Sequence, residues 1–138
     1  MLDEATDVME RYLAAWNSHD GQLIASVYHL DAQRKSPLGT HRGSDEIRVY
    51  AERFWHFAPD SHRFAPHWAA QGNVIYFELL YEGIQSGPLS TPRGELEVSG
   101  QHFRMEGGGT LEIRDGRIVA ERVYFDTAEF LRQLGLSL

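Results

Sequence analysis

The chain has 138 residues, a formal charge of −7 and no cysteine. That length suits a single domain, 1–138, around one core. The acidic balance argues against nucleic acid and anionic membrane as partners, since both reward basic surface, and the lack of cysteine excludes disulfides, thiolate chemistry and cysteine-ligated metal sites.

Hydrophobic residues make up 42% of the chain and aromatics 12%, enough for a packed interior plus an apolar cavity. Arg34-Lys35 is an isolated basic pair. The N-terminal stretch MLDEATDVMERY has neither a basic head nor an apolar signal core. No apolar run approaches the ~20 residues that span a bilayer. A soluble cytoplasmic protein is expected.

Asp3 is placed to cap a helix running to about Ser18, with Val8, Met9, Tyr12, Leu13 and Trp16 on one face. The run Asn17-Ser18-His19-Asp20-Gly21 breaks it. A second short helix is predicted, with Leu23, Ile24, Val27 and Tyr28 facing inward. The segment from Asp31 to Gly43 holds Pro37, Gly39 and Gly43 and predicts a short strand and a loop. Ser44 is placed to cap a third helix, with Ile47, Tyr50, Ala51, Phe54 and Trp55 on its buried side and Pro59 as its stop.

From about Phe64 the hydrophobic period changes. Val74 to Tyr81 is strand-like after the Gly72-Asn73 turn. Gly87-Pro88 and Pro92-Arg93-Gly94 mark a connection. His102 to Met105 and Thr110 to Ile113 predict one long strand, interrupted at Gly107-Gly108-Gly109, where a bulge, bend or close approach is expected. Asp115-Gly116 signals a hairpin. A last strand, Ile118 to Phe125, ends on Asp126, and a short amphipathic helix runs to Gly135. The order predicts an α+β fold: three N-terminal helices packed on a strongly curved, mixed or antiparallel sheet that encloses a pocket.

An acid closing an apolar, aromatic strand belongs at a rim or inside a pocket, because an unpaired carboxylate in a dry core is costly. Alternation puts Arg122, Tyr124 and Asp126 on one side of the last strand and Val123 and Phe125 on the other. Tyr124 is a candidate cavity residue or an ordinary core tyrosine, and Arg122 is expected at the rim. His102, Arg104 and Glu106 share a face of the neighbouring strand. His102 is a proton shuttle, a donor polarising a carbonyl, or a plain polar strand residue. Trp16, Tyr28, Tyr50, Phe54, Trp55, Trp68 and Tyr76 are the aromatic stock for core and cavity wall. No histidine pair has zinc-site spacing. The triple glycine is no phosphate loop, since it does not lead from a strand into a helix and lacks the lysine.

Several local patterns resemble the SnoaL-like polyketide cyclase family of the nuclear-transport-factor-2-like superfamily. They are Tyr12 to Trp16 followed by Asn17-Ser18-His19-Asp20, and Ser36-Pro37-Leu38-Gly39 leading to Gly43. Then come Gly83, Gly87-Pro88-Leu89 and Ser99-Gly100. The last are Asp115-Gly116-Arg117-Ile118, Tyr124-Phe125-Asp126 and Gln133-Leu134-Gly135. The resemblance implies a cone-shaped α+β barrel and a catalytic strand-end acid, Asp126, whose pKa would be raised by an apolar setting. The alternative for Asp126 is a cap on the last helix.

On that reading Asp126 and His102 are the catalytic candidates, and Trp16, Tyr28, Phe54, Tyr76 and Tyr124 touch a hydrophobic small-molecule ligand. The reaction is cyclisation or isomerisation of a carbonyl compound. It needs no cofactor, because only protons and carbon bonds move. Two departures weigh on it. Ser36 stands where ketosteroid isomerases of the superfamily carry their base, and Gln85 corresponds to a loop histidine of the family. Arg93-Gly94-Glu95 with Asp126 offers a second possibility, an acid pair bridged by arginine as in limonene-epoxide hydrolases, although Arg93 falls in a loop. A non-catalytic binding module of the same fold is the other alternative. A homodimer through the sheet's outer face is implied by resemblance, with Val119, Val123 and Phe125 supplying apolar contact.

Overall fold

The computed structural model describes residues 2–92 and 94–136, the side chains of Leu2 and Asp3 excepted. Helix α1 (Leu2–Ser18) buries Val8, Met9, Tyr12, Ala15 and Trp16, the three- and four-residue spacing of one helical stripe. The cap expected from Asp3 lies outside the described side chains. His19 takes a left-handed conformation (φ 59°) that ends the helix. Asp20 then starts α2 (Gly21–Val27) by accepting a hydrogen bond from the Gln22 amide at 2.9 Å. Ile24 and Val27 point inward, but Leu23 is exposed and Tyr28 already belongs to a strand.

The segment read as a short strand and loop forms two paired strands, β1 (Tyr28–Ser36) and β2 (Gly39–Arg42), turning at Pro37-Leu38. Helix α3 (Ser44–Phe57) starts after Gly43, whose φ of 87° suits a residue without a side chain. Ser44 is therefore the first helical residue and not the cap, and the Glu46 carboxylate accepts from the Arg42 amide at 2.9 Å. Ile47, Tyr50, Ala51, Phe54 and Trp55 are buried as the pattern predicts.

Then follow β3 (His62–Phe64), β4 (Trp68–Gln71), β5 (Val74–Ile84), β6 (Leu89–Thr91), β7 (Gly94–Leu96), β8 (His102–Arg114), β9 (Arg117–Phe125) and α4 (Thr127–Gln133). The main sheet runs β2-β1-β9-β8-β5-β3, with β4 also on β5. Every pairing is antiparallel except β1 with β9. The sheet is open at β2 and β3, so the expected barrel does not close. β6 and β7 form a separate hairpin.

β8 runs unbroken through its three glycines. A Cβ on Gly107 would lie 2.2 Å from the Tyr124 carbonyl oxygen, and one on Gly109 2.1 Å from that of Arg122. The backbones of β8 and β9 meet there more closely than any side chain permits. The core fills the face under the helices, where Phe54, Phe57, Phe103 and Phe130 pack edge-on and tilted.

Candidate functional site

Glu121 lies on the inward face of β9 with Val123, and its side chain is fully buried. A buried carboxylate must find donors, and three elements supply them. The Tyr12 hydroxyl from α1 donates to Glu121 Oε2 at 2.6 Å. From β1, the Tyr28 hydroxyl and Arg34 Nε donate to Oε1, the latter at 3.1 Å. Arg63 on β3 approaches Oε2 to 3.8 Å and donates from Nη1 to the Tyr12 hydroxyl at 2.6 Å. Trp16 Nε1 donates to the Tyr28 hydroxyl at 3.0 Å.

Both arginine side chains are 2% exposed. Aromatic faces sandwich them: Arg34 lies 4.9 Å from the Trp16 ring centre and 5.0 Å from Tyr50, and Arg63 lies 4.1 Å from Trp16 and 4.7 Å from Tyr81. Burial alone would pull both arginines down, but Glu121 opposite Arg34, and the oxygens of Tyr12 and Tyr81 opposite Arg63, more than offset it. Both stay charged. Burial drives Tyr12, Tyr28 and Tyr81 upward, so these phenols stay protonated.

Arg34 and Arg63, with Tyr50 and Tyr81, form the polar end of a cavity whose other walls are apolar, including Phe54, Leu79, Met105 and Phe130. Ser36 also lines it. Its volume is about 20 Å³, room for about one water molecule. Leu38 borders this cavity and two wider outer grooves of about 430 and 800 Å³. Tyr50 is shared with the smaller groove and Phe130 with the larger. Leu38 in the β1–β2 turn and these two rings thus form the partition, or neck, between cavity and grooves. His41 and Tyr50 line the smaller groove, their rings 4.4 Å apart. Burial first, then Arg34, lowers the His41 pKa, and its Nδ1 has no hydrogen-bond partner. Thr127 and Phe130 of α4 line the larger groove with the β6–β7 hairpin.

The structure reverses the expected faces of β9. Val123 is buried and Phe125 half-buried, both lining the cavity, whereas Arg122 and Tyr124 face outward, Tyr124 at 57% exposure. Tyr124 is therefore no cavity residue, and Val123 and Phe125 supply no outer apolar face. Asp126 is exposed and accepts from the Glu129 amide at 3.0 Å, capping α4. The apolar setting expected for it is not found, because the chain leaves the sheet there. It stands between Phe125, which lines the cavity, and Thr127, which lines the outer groove.

His102 is exposed on the outer side, 3.8 Å from Glu82, and is not brought to the cavity. Tyr76, half exposed, also faces outward, on the strand face opposite Phe77. Phe54 lines the cavity; Trp16 and Tyr28 lie behind it in the polar cluster. Gln85 is buried and holds the loop carbonyl of Glu97 at 2.6 Å. Arg93 lies outside the described residues, and Glu95 is exposed in the outer groove. Among the described residues no three or more His, Asp or Glu side chains gather as a metal site. No described helix is long and apolar enough to cross a membrane.

Sequence reasoning missed Glu121, Arg34 and Arg63. A signal existed for two of them: Glu121 continues the inward series of Val123 and Phe125, and Arg34 follows Ala32 on the buried side of β1. Arg63, in a three-residue strand, offered none.

A curved open sheet cradling helices over a cavity with a polar inner end defines a small-molecule-binding fold. The family model of the SnoaL-like polyketide cyclases matches residues 6–134, and the chain belongs to that family. The chain is similar to TsrD from Streptomyces laurentii (22% identity, 96% of each chain covered, TM-score 0.83). It is also similar to a protein of ketosteroid isomerase-like fold from Catenulispora acidiphila, solved with trimethylamine (18% identity, 94% and 92% covered, TM-score 0.79). An LEH-like epoxide hydrolase from M. tuberculosis matches at 19% identity over 96% and 90% of the chains, with a TM-score of 0.75. At these identities the structures share the fold. No curated protein matches the chain.

Proposed function

We propose that the protein is a small-molecule enzyme that moves protons on a hydrophobic carbonyl compound, in a cyclisation or isomerisation without net redox change. The observation that carries this reading is the cavity: apolar and aromatic walls around a cationic inner end, reached past Leu38. Such an end polarises a carbonyl and stabilises the enolate formed when an adjacent proton leaves. Asp126 serves as the acid/base at the rim. Its place between Phe125 and Thr127 supports this, as does its match to the family's strand-end aspartate. His41, held toward its neutral imidazole form, lines the outer groove with Asp45 and Glu46 and serves as the second proton carrier.

The test is solvent deuterium exchange at the carbon beside the carbonyl of enolisable aromatic ketones, followed by NMR with and without protein. Asp126→Asn is expected to slow the catalysed exchange by about 10²-fold or more. Unchanged exchange in that variant would remove Asp126 from the mechanism. A ketone that binds without any catalysed exchange would instead favour a binding module, a reading supported by the exposure of Asp126 and the narrow cavity.

We also infer a homodimer through the outer sheet face, where Tyr76 and Tyr124 are 50% and 57% exposed. The registers place these two on neighbouring rows across β8. Sedimentation should return twice the chain mass, and Tyr124→Glu should return the single mass.

A further inference from the structure

The polar cluster is not electrically balanced. Arg34 and Arg63 are permanent cations, Glu121 is the one carboxylate bonded to them, and the three tyrosines are neutral. Among the described residues, the Tyr50 phenol also packs on Arg34, and His41, whose ring lies against Tyr50, is held toward its neutral form. Two positive charges and one negative leave one positive charge in the interior. A buried excess cation is costly, and the aromatic faces of Trp16, Tyr50 and Tyr81 compensate it in part. Stability alone gives no reason to keep it.

The hydrogen bonding is unbalanced in the same direction. Arg34 Nη1 and Arg63 Nε are buried, and each lacks an acceptor within the protein. Both guanidinium groups border the cavity, and no carboxylate does. The cavity end therefore offers positive charge, two unpaired N–H donors and no carboxylate, beside the hydroxyls of Ser36, Tyr50 and Tyr81. Its volume of about 20 Å³ admits an oxygen of a ligand's head group, not a ring system. The body of a ligand would extend past Leu38 into the outer grooves.

We propose that Arg34 and Arg63 form a seat for a delocalised oxygen anion, so that the ligand is a hydrophobic compound carrying a carboxylate or an enolate-forming 1,3-dicarbonyl. This rests on the proton-transfer reading above and names its substrate class. No bond is made at the seat; it binds the anion, or holds the enolate left when a base at the mouth takes the adjacent proton.

The experiment uses the whole protein and its Leu38→Ala variant, which widens the neck, with benzoate, benzamide and benzoylacetone as probes. Calorimetry is expected to show benzoate favoured over benzamide by about tenfold or more, as a charge-assisted pair requires. Side-chain ¹⁵N spectra should show the Arg63 and Arg34 Nε–H resonances moving with benzoate. Bound benzoylacetone should gain its enolate absorption at neutral pH. Arg63→Gln, which brings the cluster to neutrality, should erase the benzoate preference; should it not fold, the wild-type spectra decide.

Ionisation of benzoylacetone without benzoate selectivity identifies the anion as an enolate, and benzoate selectivity alone identifies it as a carboxylate. Equal binding of benzoate and benzamide with no ionisation of benzoylacetone would overturn the seat and leave the cavity reading standing. So would shifts confined to surface arginines. If no probe binds either protein, both fall.

Discussion

Glu121 is the residue on which the interior depends. It accepts from Tyr12, Tyr28 and Arg34 and faces Arg63, so removing it strands two cations with no counter-charge. Glu121→Ala is expected to cost about 3–5 kcal/mol, read from urea unfolding. A loss below about 1 kcal/mol would mean that water reaches the cluster and solvates the arginines. His41 gives the pH dependence. Its pKa in the folded chain lies below the ordinary 6.5. The unfolded chain therefore binds the proton first as pH falls. Stability is unaffected well above that value and declines as pH drops through it toward the folded pKa. His41→Gln should flatten the decline, seen as a smaller difference in urea midpoint between about pH 7.5 and about pH 5.5. An identical decline in the variant would assign the effect to other groups. These roles were only partly readable locally. Alternation sets Glu121 in line with Val123 and Arg34 with Ala32, but their pairing depends on partners far away in sequence.

At the scale of elements, the sequence carried the helices well and the strand faces poorly. The stripe of α1 and the buried side of α3 emerge from apolar spacing alone, because each helix meets the sheet along one line. β9 failed the same reading for a physical reason. Its aromatic Tyr124 sits on the outer face and its charged Glu121 on the inner one, so hydrophobicity and burial are anticorrelated at both. Asp126 was legible as a strand-end acid, but its local job was the alternative one, a helix cap. That job has its own prediction. Asp126→Ala should cost about 0.5–2 kcal/mol by loss of the cap, whereas Asp126→Asn, an equally good cap, should be nearly neutral. The Asn variant therefore reports on proton transfer and the Ala variant on folding. Equal stability for both would show that α4 does not depend on its cap.

Over the whole molecule, the fold was legible because many weak signals stand in the right order: helix breakers at Asn17 to Gly21, the Pro37 turn, the Asp115-Gly116 hairpin. The cavity's character was not. Its interior is nearly filled, and its polarity comes from α1, β1, β3 and β9 together. The parallel pairing of β1 with β9 brings the first strand against the last, and Tyr12 meets a carboxylate 109 positions later, Arg34 one 87 positions later. During synthesis, the N-terminal half leaves the ribosome with both phenols and both cations but without their acceptor. Until β9 is made, these arginines lack the carboxylate that faces them in the fold, and burying them would leave their charge uncompensated. The last strand to be translated is thus the one that seals the interior.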